Sequence, residues 1–176
     1  DKIKFYVAYA KQKKIEVLPP DINKSQTYFS TDGKSIRFGI AALKNVGVNV
    51  VEEIIAERER NGDFKDLMDF VNRVDGQALN KRCIESLIQA GAFDCFGKTR
   101  SQLMSVYTIA ITRALDAKKR AISGQMDMFG SLLSQDDGID DLEYPDICEY
   151  IPKVKLHLEK EIAGVYLSGH PLDAFA

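Results

Sequence analysis

Residues 36–60 read IRFGIAALKNVGVNVVEEIIAERER, and the fold turns on how that stretch divides. The apolar run Ile40–Leu43 breaks against Lys44-Asn45, which predicts a short first helix, a tight turn over Lys44–Val48 and a second helix. Gly47 is expected to supply the positive φ of a sharp corner, and Asn45 is among the few side chains that tolerate the same region. Asn49 is expected as the N-cap, with Glu52 completing a capping box. Val51, Ile54 and Ile55 then share one face, with Glu52, Glu53, Glu57 and Arg58 around them, and Gly62 closes the helix as its C′ residue.

A glycine-bearing turn that feeds a helix N-terminus points several backbone N–H groups outward, and the helix dipole stands behind them. Such a concavity suits an anion, in particular a backbone phosphate. The spacing equally allows an ordinary αα-hairpin whose glycine only makes the corner.

With 176 residues, 45% of them hydrophobic, the chain can bury one core or a little more. Cys83, Cys95 and Cys148 form no CxxC pair, and His157 and His170 are the only histidines. That argues against zinc and for free thiols in a reducing cytosol. No apolar run approaches the ~20 residues of a membrane span and no signal peptide opens the chain, so no membrane partner is expected. The first residue is Asp and the chain stops at DAFA, which reads as a fragment of something longer. No paired carboxylates share a plausible site, so no catalytic residue, metal or cofactor is assigned.

The net charge of −2 hides a segregation of charge. Residues 80–123 carry eight Lys or Arg against three acids (Glu85, Asp94 and Asp116), a sum of +5, whereas residues 124–150 carry eight acids and no Lys or Arg. A basic block beside an acidic one points to separate surfaces with separate partners.

The opening segment reads as a helix with Phe5, Val7, Ala8 and Tyr9 mostly inward, then a short extended piece, Ile15–Leu18, stopped by Pro19-Pro20. Asp32-Gly33 marks a hairpin. Asp21, an isolated acid, is expected in a turn or cap. Asp66–Val74 predicts a short amphipathic helix. Asn80 caps the next, whose stripe is Ile84, Leu87 and Ile88. A second turn at residues 90–97, with positive φ at Gly91 and Gly97, leads through a Thr99 cap into a long helix to about Ile122. That helix ends in Lys118-Lys119-Arg120, which is available to a phosphate or is simply a solvated helix end. Residues 124–152 read as a flexible acidic connector with one apolar anchor. A final helix is expected over Val154–Tyr166, stopped by Ser168-Gly169-His170-Pro171, with His170 in a turn or capping role.

LKNVGVNVVEEIIAERE resembles the helix-hairpin-helix motif of DNA-binding proteins, which usually has glycine where Asn45 stands. VLPPDINKS followed by IRFGIAALKNVG, then GDFKDLMDFVNRVD, NKRCIESLIQAGAFD and LEKEIAGVYLSGHPLD, are together similar to the bacterial DNA polymerase III alpha subunits, in order and over essentially the whole chain. The resemblance implies an internal fragment of a cytoplasmic DNA-directed DNA polymerase, a nucleotidyltransferase whose catalytic aspartates lie upstream. It implies a mainly α fold with a few short N-terminal strands. The expected divisions are 1–35 (end of the fingers), 36–123 (tandem helix-hairpin-helix module), 124–152 (connector) and 153–176 (a helix leading to an OB-fold region).

The partners implied are primer-template duplex, the sliding clamp (beta subunit) and the rest of the polymerase III holoenzyme. Duplex is assigned to Lys44, Asn45, Val46, Gly47 and Val48, and to Lys98, Arg100, Lys118, Lys119 and Arg120. Gln125-Met126-Asp127-Met128-Phe129 matches the clamp-binding pentapeptide of bacterial replication proteins, with Met128 where Leu is commoner. A local tuck of the connector against its own domain is the other reading of that peptide. Two rivals remain for the whole chain. A helix-hairpin-helix DNA glycosylase would need a carboxylate near the hairpin, for which Asp66 and Asp69 are candidates, although the later segments do not fit that family. A protein-binding scaffold is favoured by Glu52, Glu53, Glu57 and Glu59.

Overall fold

In the computed structural model, which describes residues 2–74, 80–122, 142–169 and 171, the chain opens with helix α1, Lys2–Gln12. Only Val7 and Ala10 of α1 are buried. Phe5, Ala8 and Tyr9, expected inward, are exposed, because they stand well round the helix from the Val7–Ala10 line. The helix stops in a Schellman arrangement. Ile15 N–H donates to Ala10 C=O at 2.9 Å and Lys14 N–H to Lys11 C=O at 3.0 Å, with Lys14 itself left-handed at φ 58°.

Strands β1 (Val17–Leu18), β2 (Ser30–Asp32) and β3 (Ser35–Arg37) form a small sheet in the order β1-β3-β2, β1 parallel and β2 antiparallel to β3. Asp32 pairs with Ser35, so Gly33 and Lys34 make the predicted tight turn, with Gly33 at φ 63°. Asp21 holds a local turn by accepting from Asn23 N–H at 2.8 Å. β3 crosses residue 36, where the sequence suggests a domain boundary, and one hydrophobic cluster runs from Val7 to Val165.

Beyond the sheet, a 3-10 turn (Ile40–Ala42) leads to α2 (Val48–Asn61), then α3 (Leu67–Arg73), α4 (Lys81–Gln89), a second 3-10 turn (Asp94–Phe96), α5 (Arg100–Ile122) and α6 (Pro152–Ala163). The fold is mainly α with a small N-terminal sheet, as expected. Asp66 and Asn80 cap α3 and α4, accepting from Asp69 N–H and Cys83 N–H, each at 2.8 Å. Thr99 and Gln102 complete a reciprocal capping box at α5, at 3.1 and 3.2 Å. Phe64, Phe70, Phe93 and Phe96 follow one another with successive ring centroids 5.0, 4.9 and 5.2 Å apart, the first two contacts edge-to-face and the last stacked. Each fully buried ring of this kind contributes roughly 2–3 kcal/mol.

Three local expectations need correction. Glu57 and Arg58 do not surround the apolar face of α2 but are buried. Arg58 Nη1 donates to the carbonyls of Ile22 and Ser25 at 2.9 and 3.0 Å, tying α2 to the turn before the sheet, while Glu57 pairs with Arg73 at 3.0 Å. The last helix ends at Gly164, at φ 76°, and not at Tyr166, because a left-handed C-cap glycine comes before the predicted stop. The described end of the connector is not loose. Leu142 is buried, Gln102 Nε2 donates to Pro145 C=O at 3.0 Å and Ser101 Oγ to Cys148 C=O at 2.7 Å, so residues 142–151 lie along the start of α5.

Candidate nucleic-acid interface

The hairpin at Leu43–Val48 is held from beneath. Val46 is buried, Lys44 N–H donates to Ile162 C=O at 3.0 Å, and Asn45 Nδ2 donates to Ser86 Oγ at 3.2 Å. The corner is made differently from the sequence expectation. Asn45 carries the positive φ, 64°, whereas Gly47 is extended at φ −78°, ψ 147°. The side-chain bond to Ser86 fixes Asn45 in the left-handed region, where its short amide is tolerated. Gly47, not Asn49, is the N-cap, so the anticipated box with Glu52 does not form: α2 begins one residue before Asn49 and has no side-chain cap.

The result is an uncapped helix N-terminus at the surface. The first-turn amides of Val48, Asn49 and Val50 have no intrahelical acceptor and no capping side chain. Gly47, Val48, Asn49 and the Lys44 side chain are all exposed there. Dipole and open amides thus face a place that suits an anion, with the exposed Lys44 four residues before α2.

The second helix–turn–helix, α4 to α5, is built the same way but ends differently. Gly91 and Gly97 take the predicted positive φ, 84° and 71°. The N-terminus of α5 is already filled: the Glu149 carboxylate accepts from the amides of Arg100 and Ser101 at 3.0 and 3.2 Å, and Lys155 stands 3.5 Å from it. Burial raises the pKa of Glu149, but the amides of Arg100, Tyr150 and Ser101 and then Lys155 outweigh it, so the group sits below the ordinary carboxylate range. The chain's own anion occupies the position that a phosphate would take. Nothing local in the sequence announced this contact, which joins residues 49 positions apart.

Arg100 must be withdrawn from the expected phosphate-binding residues. Its side chain is 2% exposed, bonded to Glu159 at 2.8 Å, to Asp94 at 2.8 Å and to Gln89 C=O at 3.1 Å. Glu159 is itself fully buried and also accepts from the amides of Leu167 and Ser168 at 2.9 Å each. Burial alone would raise its pKa, yet these donors and Arg100 hold it lowered. Arg100 is a core cross-link between α5 and α6.

The other expected cations differ in what engages them. Lys98 is exposed, its ammonium 4.7 Å from the Tyr144 ring centroid. Lys118 donates to Val74 C=O at 3.1 Å, Lys119 is exposed, and Arg120 Nε reaches Asp116 C=O at 3.3 Å. Lys98 and Lys118 lie at opposite ends of α5, about 30 Å apart at helical rise. They cannot share a phosphate. Gln125, Met126, Asp127, Met128 and Phe129 lie outside the described residues, as does His170. Among the described residues no cluster of His, Cys, Asp and Glu gathers to hold a metal, and no helix is long and apolar enough to cross a membrane.

A family model for the helix-hairpin-helix motif matches residues 14–103. Along the whole chain the sequence is 42% identical, over 176 residues, to DNA polymerase III subunit alpha of Mycobacterium leprae. It is 39% identical to the subunit of the same name from Thermus aquaticus over 98% of this chain, and 39% identical to that of Vibrio cholerae over 99%. The chain spans about 15% of the M. leprae and V. cholerae proteins and 13% of the T. aquaticus one.

Proposed function

This chain belongs to the helix-hairpin-helix family and, over its full length, to the DNA polymerase III alpha subunits; from that premise we propose that it grips duplex DNA without regard to sequence and tethers a replicative polymerase to its sliding clamp. The observation that carries the first half is the uncapped N-terminus of α2, exposed beside Lys44. A duplex phosphate fits those amides as it fits other helix N-termini. The amides of Val48, Asn49 and Val50 and the Lys44 side chain form that contact, over a turn shaped by Asn45, the buried Val46 and Gly47, and Lys98, Lys118, Lys119 and Arg120 extend it along the backbone. Backbone contacts position a protein without reading bases, so the binding is electrostatic. Asn45, standing where glycine is usual, gives the turn a side chain and narrows its approach to the phosphate. The second hairpin contributes cations rather than amides, since Glu149 fills its helix terminus.

The clamp half rests on the pentapeptide Gln125–Phe129 and on its position in relation to the family. Met128 and Phe129 are the apolar anchors, Gln125 hydrogen-bonds at the pocket edge, Met126 is a variable position and Asp127 faces solvent. The chemistry of nucleotide addition is assigned to the polymerase outside these residues, and the setting is the bacterial cytoplasm. Titration of labelled duplexes of unrelated sequence tests the first half: equal affinities that fall steeply with salt are expected, and a sequence preference would refute it. Calorimetry with purified clamp tests the second. Replacing Met128 and Phe129 by alanine removes two anchors of ~2 kcal/mol each, so clamp affinity falls about a thousandfold with duplex binding intact. Undiminished clamp binding by that variant would refute the tether.

A further inference from the structure

Helix α1 presents to solvent a combination that the duplex reading leaves unused. Phe5, Tyr6 and Tyr9 are 66%, 64% and 50% exposed, far more than large aromatic rings usually tolerate in one cluster. Phe5 and Tyr9 lie at i and i+4 with nearly parallel rings, 14° apart in plane and 6.5 Å between centroids. Lys13 sits 5.6 Å over the Tyr9 ring. From residue 2 to residue 15 there are five lysines and no acid. On the adjacent side of the same helix runs a groove of about 300 Å³ between α1 and the end of α6. Lys4, Lys11 and Lys160 line it, over an apolar floor that includes Val7, Ala8 and Val165.

We propose that α1 is a second nucleic-acid site, specific for single strands, which holds phosphates in the lysine-lined groove and stacks bases on Phe5 and Tyr9. The geometry supplies both halves of such a site side by side. Lys4, Ala8 and Lys11 recur at i, i+4 and i+7 on the groove side, and Phe5 and Tyr9 recur at i and i+4 on the next side round. A strand laid along α1 therefore meets ammonium groups with its backbone and ring faces with its bases. In a duplex the bases are paired inward and cannot reach the rings, so the site discriminates by strandedness. The charge decides between occupants: a protein segment of ordinary composition would cover the rings but leave Lys4 and Lys11 unanswered, whereas a polynucleotide answers both. The α1 site does not depend on the duplex contact at α2.

The test is fluorescence anisotropy at fixed salt with three probes: a labelled dodecamer of thymidine, an abasic strand of the same length, and a duplex. The wild type should bind the thymidine strand at least about fivefold more tightly than the abasic one, the low end of what one stacked base contributes. Phe5→Ala/Tyr9→Ala, at exposed positions, should keep the wild-type circular-dichroism melt and erase that preference. Lys4→Glu/Lys11→Glu should weaken both single strands. Lys44→Ala should lose duplex affinity and keep the single-strand preference, which separates this site from the hairpin. Equal binding of thymidine and abasic strands, an unchanged preference in the Phe5/Tyr9 variant, or no single-strand binding at all would each overturn the proposal and assign the rings to a protein contact.

Discussion

Arg100→Ala should unfold the protein more readily without weakening the duplex contact of the molecules that remain folded. The side chain is 2% exposed and ends between Glu159, fully buried, and Asp94, 46% exposed. Removing one member of a buried pair typically costs about 3–5 kcal/mol, because the other charge is left behind. Glu159 keeps the Leu167 and Ser168 amides at 2.9 Å, which places the loss at the lower end, about 3 kcal/mol. The Asp94 arm, half in solvent, adds at most about 1 kcal/mol. With a urea dependence of about 2 kcal/mol per molar, the unfolding midpoint should drop by about 1.5 M, read by far-UV circular dichroism. Lys98→Ala, at an exposed site, should leave the midpoint in place and weaken duplex binding. An Arg100→Ala variant that kept its midpoint within about 0.3 M and instead lost duplex affinity would refute the cross-link and make Arg100 a surface phosphate ligand.

Gly91→Ala should cost at least about 3 kcal/mol in the same assay: Gly91 is at φ 84° and an added Cβ would collide with the Arg100 guanidinium, whereas Gly62→Ala, at φ 81° with open space, should cost only the left-handed strain of about 1–2 kcal/mol. Equal losses would remove Arg100 from the explanation. Lys14→Gly should gain about 0.5–1 kcal/mol, because Lys14 holds φ 58° at a C-cap where glycine is unstrained; a lower melting temperature would contradict this. Glu149 and Glu159 both have folded pKa values below their unfolded value of about 4.3. Their contribution is therefore present above that value and lost as pH falls through the folded ones. Melting temperature should hold near neutrality and decline below about pH 5, and Glu149→Gln/Glu159→Gln should flatten the decline.

What the sequence disclosed and what it hid divide along a physical line. Local signals were legible: Asn80 and Thr99 are caps because their short oxygens reach amides three residues on, and Asp32-Gly33 forms its turn unaided. Gly47 misled because a glycine in a turn announces freedom, not which residue uses it; the Asn45–Ser86 bond, 41 residues apart in sequence, decides that Asn45 takes the left-handed place. Arg100 misled for a similar reason, since an arginine at the start of a basic helix looks solvated until Glu159 arrives from 59 residues away. The hydrophobicity of Phe5 and Tyr9 suggests an inward face, whereas α1 packs through Val7 and Ala10. The candidate hairpin was thus visible as a segment, but its free helix terminus, and the filled one at α5, depend on contacts at long range.

Duplex binding is tested most directly by its salt slope, log Kobs against log salt concentration, for wild type, Lys44→Ala and Lys98→Ala. Each substitution removes one cation of the proposed contact and should make the slope shallower by about 0.9, with melting temperatures unchanged because both side chains are exposed. Slopes identical to wild type in both variants would contradict the assignment and place the duplex on another surface.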